Sequence, residues 1–222
     1  MCAMTTILLL CTGNVCRSVM AQAMLSARVR AVSVSSAGLL PGGRRAPAEV
    51  ISVMAARGLD LSGHCSRQVT ADNLAAADLI VGLAREHVRH ASVLLPECWP
   101  RTFTLRELLR HGLEAGPRTP GIPLGDWLAL AGAERSRRDL LGVGTGDDVP
   151  DPYGGPPAGY QATADLLDQL IGDLVALCWP DLISAGRGSQ PTPHLTLTWR
   201  GWPVSSRWHG TCRRGPNVVY GD

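Results

Sequence analysis

Short apolar runs alternate with stretches of helical spacing along most of this chain. Residues Thr6 to Leu10 form an apolar run ahead of a glycine-containing turn, as a buried parallel strand does, and Val19 to Val29 then sets Met20, Ala23, Met24 and Ala27 at helical spacing. The stretch AVSVSSAG (31–38) alternates like a strand, and APAEVISVMAARG (46–58) reads as a helix closed by Gly58. A short helix over Ala71 to Ala77 leads into DLIVGL (78–83), a third strand, with a helix over Arg85 to Ala91 behind it. A fourth short strand near Arg101 to Leu105 precedes a helix through His111. Leu166, Leu167, Leu170, Ile171, Leu174, Val175 and Cys178 mark one face of a last helix that stops before Pro180.

Strands alternating with helices over short connections predict an α/β fold: a doubly wound domain with a central four-stranded parallel sheet and helices on both faces. The pattern is interrupted between Gly112 and Val149, a Gly/Pro/Arg-rich stretch with weak helical patches around Trp127 to Ala131 and Glu134 to Leu141. It reads as a loop insertion, partly ordered at best. DVPDPYGGPPAGY follows as a rigid turn. Residues 1–184 thus read as one domain. Residues 185–222 hold three of the six tryptophans and no periodicity, and read as a disordered or loosely packed tail.

Composition narrows the class. No stretch approaches the roughly 18–20 apolar residues of a spanning helix, and the N-terminus lacks a leader pattern, so no membrane partner is expected and the location reads as cytoplasmic. Every basic side chain is arginine, but the formal charge is only +2 and aromatic residues make up 5%, so no nucleic-acid partner is expected. Seven scattered cysteines, an odd number, argue against a disulfide framework and for reduced thiols.

The first strand ends in CTGNVCRS (11–18), and nothing in that composition builds a core. Five residues separate Cys11 from Arg17, so the loop must wrap round a centre with its N–H groups inward, forming a nest for an anion. The following helix N-terminus and the planar fork of Arg17 suit a phosphate. Helix N-termini and cations also stabilise thiolate, so Cys11 is expected to be a nucleophile at neutral pH. Gly13 permits backbone geometry that a side chain would obstruct, Asn14 tolerates left-handed dihedrals, and the Ser18 hydroxyl can donate to the sulfur. Thr12, Gly13, Asn14, Val15, Cys16 and Ser18 are therefore candidate substrate-binding positions. A zinc site finds no second half, since the C-x4-C of Cys11 and Cys16 has no downstream pair at ligand spacing. No metal or cofactor is expected.

ILLLCTGNVCRSVMAQAM resembles the signature of low-molecular-weight protein-tyrosine-phosphatases, and SSAG, RGLDLSGHCSRQVT, ADLIVGLAREHV and VPDPYG are similar to its later landmarks in the same order. The resemblance spans about residues 4–178. It implies that Cys11 attacks phosphorus, Arg17 holds the equatorial oxygens and Asp151 protonates the departing oxygen. General acid–base logic independently asks for such a carboxyl group. The substrate implied is a phosphotyrosine protein or a small aryl phosphate. By the same resemblance Ser36 bonds toward Asn14 and fixes the cradle, and Tyr153 lines the pocket beside an aromatic substrate. Cys16 is open between a reversible disulfide with Cys11 and a packed thiol. Val19 stands where the family usually has proline, Leu39 to Gly43 lacks its aromatic wall, and Gly154 replaces a frequent second aromatic.

Two competing readings are arsenate reductase of the same fold, which needs a closely spaced resolving cysteine pair, and a non-catalytic phosphate-binding module, which requires neither Cys11 nor Asp151. The sequence is silent on oligomeric state.

Overall fold

The computed structural model describes residues 4–138 and 146–181. The tail from 185 to 222 lies outside the described residues. Four parallel strands, β1 (Thr5–Cys11), β2 (Val32–Gly38), β3 (Leu79–Gly82) and β4 (Thr102–Thr104), form one sheet in the order β2-β1-β3-β4. As an inner strand, β1 must be apolar on both sides. Its residues alternate accordingly: Ile7, Leu9 and Cys11 join one core, and Leu8 and Leu10 join the other.

The first core is roofed by α1 (Arg17–Arg28), α2 (Ala48–Ala55), α5 (Leu105–Ala115), α6 (Leu124–Ala131) and α7 (Pro157–Cys178). The second is closed by α3 (Ala71–Ala75), α4 (Arg85–Leu94) and a 3-10 turn over Pro96–Arg101. Capping boxes start α3 (Thr70 with Asn73) and α5 (Thr104 with Glu107). The chain leaves β1 toward β2 on one side and then crosses to β3 on the other. The C-terminal end of β1 therefore lies at the topological switch point, where such sheets hold ligands. Among the described residues no helix is long and apolar enough to cross a membrane.

The helical patch expected around Trp127 to Ala131 is α6, and two expectations are corrected below. Trp127 is buried with its indole N–H on the Gly116 carbonyl (2.9 Å) and packs against Gly112. Arg135 lies over the rings of Phe103 and Trp99, donates to Glu107 (2.8 Å) and to the Thr102 carbonyl (2.6 Å), and so holds the stretch on the sheet edge. Of the second helical patch, residues 139–141 lie outside the described residues, and no helix starts at Glu134. The last helix begins at Pro157, inside the stretch read as a turn, because proline is well suited to a first helical turn. Asp147 and Asp148, which fall in the stretch read as partly ordered at best, are anchored. Asp147 is 7% exposed and accepts from Arg110 (2.6 Å) and Arg85 (3.2 Å), Asp148 accepts from the Arg85 N–H (2.8 Å), and the Val149 N–H donates to the Leu83 carbonyl (2.8 Å).

The loop after β1 is packed from beneath by Gly38, the last residue of β2. A methyl group there would stand 2.8 Å from the Asn14 nitrogen and 2.9 Å from the Gly13 carbonyl carbon, distances that side chains do not adopt. By contrast, a methyl at Gly13 would meet Val15 and Arg44 at 3.4 and 3.5 Å, ordinary contacts. The steric demand expected at Gly13 falls on Gly38.

Two predictions follow from this packing. Gly38→Ala is expected to destabilise the fold by about 1–3 kcal/mol and to weaken binding of inorganic phosphate, checked by thermal unfolding with and without phosphate. Asp147→Asn is expected to cost about 1–3 kcal/mol at neutral pH. Burial pushes the Asp147 carboxyl up, but the bonds and charges of Arg110 and Arg85 outweigh it and hold it below its ordinary 3.8. Because the folded value lies below the unfolded one, the stabilisation is present above the unfolded value and lost as pH falls through the folded one. Denaturant titrations from pH 6 down to 3 are expected to show a shallower acid slope for Asp147→Asn than for the parent.

Candidate active site

Cys11 ends β1, and the chain turns at once into the loop that precedes α1. Asn14 takes a left-handed conformation, φ 50°, as its residue type permits. The α1 N-terminus has no side-chain cap, so its first N–H groups receive no side-chain acceptor.

A buried chain of amide and hydroxyl groups fixes this loop from behind. Asn14 Nδ2 gives one proton to Ser36 Oγ (2.8 Å) and the other to Ser18 Oγ (3.0 Å), while Ser36 Oγ donates to Gln22 Oε1 (2.5 Å). Ser18 Oγ, already accepting from Asn14, has its own proton left for Cys11 Sγ at 3.0 Å. The Asn14 backbone N–H donates to the same sulfur at 3.2 Å. Asn14 Oδ1 accepts from the Arg67 N–H (3.0 Å), and His64 Nε2 contacts the Asn14 carbonyl at 2.7 Å. Burial, the first cause, keeps the His64 ring below its usual basicity, so it is neutral and donates. Ser36 is thus bonded to Asn14, the contact that the family resemblance implied.

Arg17 is 5% exposed and bridges the loop to the distant 149–153 segment. Its Nη1 donates to the Val149 carbonyl (3.2 Å), and its Nη2 donates to Thr12 Oγ1 (3.1 Å) and to Asp151 Oδ2 (2.5 Å). Its Nε is buried without a hydrogen-bond partner among the described residues. Thr12 Oγ1 in turn donates to Glu86 Oε1 (2.8 Å), which leaves His87 Nε2, 3.2 Å away, to donate to Thr12. Burial foremost, then the Arg17 charge, lowers His87 to about 3, so its ring is neutral. Tyr153 N–H donates to Asp151 Oδ1 (3.3 Å), steadying the carboxylate.

Part of the loop, with Asp151 and Tyr153, borders a cleft of about 110 Å³. Cys11, Thr12, Gly13, Val15 and Cys16 line it, and Leu40, Arg44, Asp151 and Tyr153 complete its walls. Tyr153 is 56% exposed, with Arg44 Nη2 on its hydroxyl (2.8 Å). A larger cavity, about 230 Å³, opens behind the loop between Gln22, Ser36, His64 and Arg67 and does not include Cys11. The chemistry therefore belongs to the smaller space. Asn14 and Ser18 do not line that space but hold it from behind. Burial, then the nearby Asp151 and Cys11, push the Cys16 thiol up to about 12. Cys11, Cys16, Cys98 and Cys178 are free thiols.

Sequence reasoning did not single out Gln22, Arg44, His64, Arg67, Glu86 or His87. Arg44 follows the C-terminal end of β2 and Glu86 and His87 that of β3, the rim where ligands bind in such sheets, whereas His64 and Arg67 sit in the connection between α2 and α3.

Comparison with known proteins agrees with this geometry. The family profile "Low molecular weight phosphotyrosine protein phosphatase" matches residues 6–115. The chain is 35% identical over 126 residues to a "Probable low molecular weight protein-tyrosine-phosphatase EpsP" of Ralstonia solanacearum, covering 56% of this chain and 87% of the relative. Among solved structures it is similar to the YwlE arginine phosphatase of Geobacillus stearothermophilus (TM-score 0.59, 25% identity, 84% and 99% of the two chains). It is also similar to a low molecular weight protein tyrosine phosphatase of T. tengcongensis (TM-score 0.57, 28% identity, 77% and 97%). With a relative of that identity covered over most of its length, a parallel sheet of the same kind and the loop at its switch point, the chain belongs to the low molecular weight protein-tyrosine-phosphatase family.

Proposed function

We propose that the protein hydrolyses aryl phosphate monoesters, phosphotyrosine in proteins among them, through a phosphocysteine on Cys11. One observation carries this reading: the Cys11 sulfur accepts from the Asn14 N–H and faces Ser18 Oγ, in the same small cleft as the Asp151 carboxylate. Two hydrogen bonds to sulfur suit a thiolate, which is the form that attacks. The unpartnered Arg17 Nε is a donor awaiting an acceptor, and the cradle around it suits a phosphoryl group.

In the first step the S–P bond forms and the P–O(aryl) bond breaks, while the Asp151 carboxylic acid gives its proton to the departing oxygen. In the second, water attacks phosphorus, its proton passes to the Asp151 carboxylate, and phosphate leaves with the S–P bond broken. Cys11 is the nucleophile, Arg17 the clamp and Asp151 the acid and then base. Thr12, Gly13, Val15 and Cys16 contact the substrate, Asn14 and Ser18 hold the sulfur, Ser36 holds Asn14, and Tyr153 flanks the leaving group.

Arsenate reduction requires a resolving thiol pair. Among the described free thiols Cys16 is buried and Cys98 and Cys178 lie inside the two cores, which favours hydrolysis. Likeness to an arginine phosphatase makes phosphoarginine a second substrate class for the same steps, and the walls of the cleft decide between them.

Cys11→Ser is expected to lower p-nitrophenyl phosphate turnover by at least about 10⁴-fold while retaining phosphate binding, and equal activity in both proteins would remove the nucleophile. Asp151→Ala is expected to slow phenyl phosphate hydrolysis by about 10²–10⁴-fold, and p-nitrophenyl phosphate less, because its leaving group needs less protonation. Equal losses on the two substrates would remove Asp151 as the acid.

A further inference from the structure

Arg44 lines the leaving-group side of the cleft and has no carboxylate partner among the described residues. Six other arginines of this chain are paired: Arg17, Arg28, Arg57, Arg85, Arg110 and Arg135 each meet an aspartate or glutamate. The Arg44 guanidinium instead rests on Tyr153, its Nη2 on the phenolic oxygen at 2.8 Å and its carbon 5.3 Å from the ring centre. Its backbone is fixed. The Arg44 N–H donates to Ser66 Oγ (2.9 Å), the Arg44 carbonyl accepts from the Ser66 N–H (2.8 Å), and a methyl at Gly42 would stand 2.6 Å from the Ser66 carbonyl oxygen. A rigid stalk therefore holds a flexible cation over the loop, with Nη1 only 3.5 Å from where a methyl on Gly13 would sit.

A leaving group held beside Tyr153 and Leu40 must pass this cation. From that arrangement, and resting on the hydrolytic reading above, we infer that Arg44 sets the substrate class: aryl phosphates carrying a carboxylate beside the ring, as in a phosphotyrosine flanked by glutamate or aspartate. The guanidinium has five donors and uses one on a neutral phenol, so exchanging that bond for a carboxylate adds a charge-assisted, bidentate pair. The same cation opposes a cationic leaving group, so phosphoarginine is disfavoured. The segment that would carry an aromatic wall in the family, Leu39 to Gly43, here contributes Leu40 to the cleft with Arg44 just beyond it, and the discrimination moves from ring stacking to charge.

The test uses the full chain and two phosphotyrosine peptides that differ only in Glu or Gln on both sides of the phosphotyrosine, with p-nitrophenyl phosphate as the neutral reference. The quantity read is the ratio of kcat/KM for the Glu peptide to that for the Gln peptide, which cancels any general loss of activity. The wild type is expected to favour Glu by about 1.5–5-fold at low salt, the range of one rim ion pair, and less at high salt. Arg44→Lys is expected to keep part of the preference, Arg44→Ala to bring the ratio to about one, and Arg44→Glu to invert it and raise turnover of phosphoarginine relative to p-nitrophenyl phosphate. A wild type that hydrolyses p-nitrophenyl phosphate but gives a ratio of one, or the same ratio in Arg44→Ala, overturns the inference and leaves the phosphatase reading standing. A wild type that hydrolyses no aryl phosphate overturns both.

Discussion

A single guanidinium holds together two parts of the chain that are far apart in sequence. Arg17 is nearly buried, and its charge must be compensated where it sits; an unpaired charge in that position would cost several kcal/mol. The compensation comes from Thr12 in its own loop and from Val149 and Asp151, across the cleft. That requirement brings a carboxylate next to a thiol, since the loop that presents Arg17 also presents Cys11. The remaining structure can be understood as keeping both ends of this bridge still. Asn14, Ser18, Ser36 and Gln22 fix the loop through a buried run of hydrogen bonds with its proton directions determined. Asp147, Asp148 and Val149 fix the other end through Arg85, Arg110 and Leu83.

The sheet explains why these pieces can meet. A loop leaving the inner strand β1 has neighbours on both sides, β2 through Gly38 and β3 through the start of α4, which carries Glu86 and His87. Polar groups placed there are buried enough to be strong and numerous enough to satisfy one another. Among the described residues one donor of this network, Arg17 Nε, is left over, and a buried unsatisfied donor is costly unless a ligand completes it. In the proposed reaction the phosphoryl group does so. Binding then replaces an unsatisfied group by a charge-assisted bond, which favours phosphate over water.

Much of this was legible in the sequence, for reasons that can be named. The inner strands of the sheet are continuous apolar runs, so Thr6 to Leu10 and DLIVGL could be read directly, and the seven residues from Cys11 to Arg17 could be read as a tight loop at the end of the first strand. The Ser36 bond to Asn14 followed from resemblance and is present. Less legible were features that depend on one side chain meeting a distant partner. Arg135 orders its stretch by stacking on Phe103 and Trp99, an arrangement that leaves no period in the sequence. Asp147 looked like a residue of a glycine-rich loop because its two arginine partners stand on α4 and α5. Arg44 was one arginine among 21 basic residues, and only the cleft distinguishes it from the rest.

The central claim is that the Cys11 sulfur takes up a phosphoryl group, and trapping that species tests it most directly. Asp151→Asn, lacking the base for the second step, would be mixed with p-nitrophenyl phosphate, quenched, digested and mapped, with phosphorus-31 resonance separating S–P from O–P bonds. The account predicts one phosphoryl group bonded to sulfur on the peptide carrying Cys11. Phosphate found on another residue, or p-nitrophenol released with no phosphorylated protein at any quench time, would contradict it.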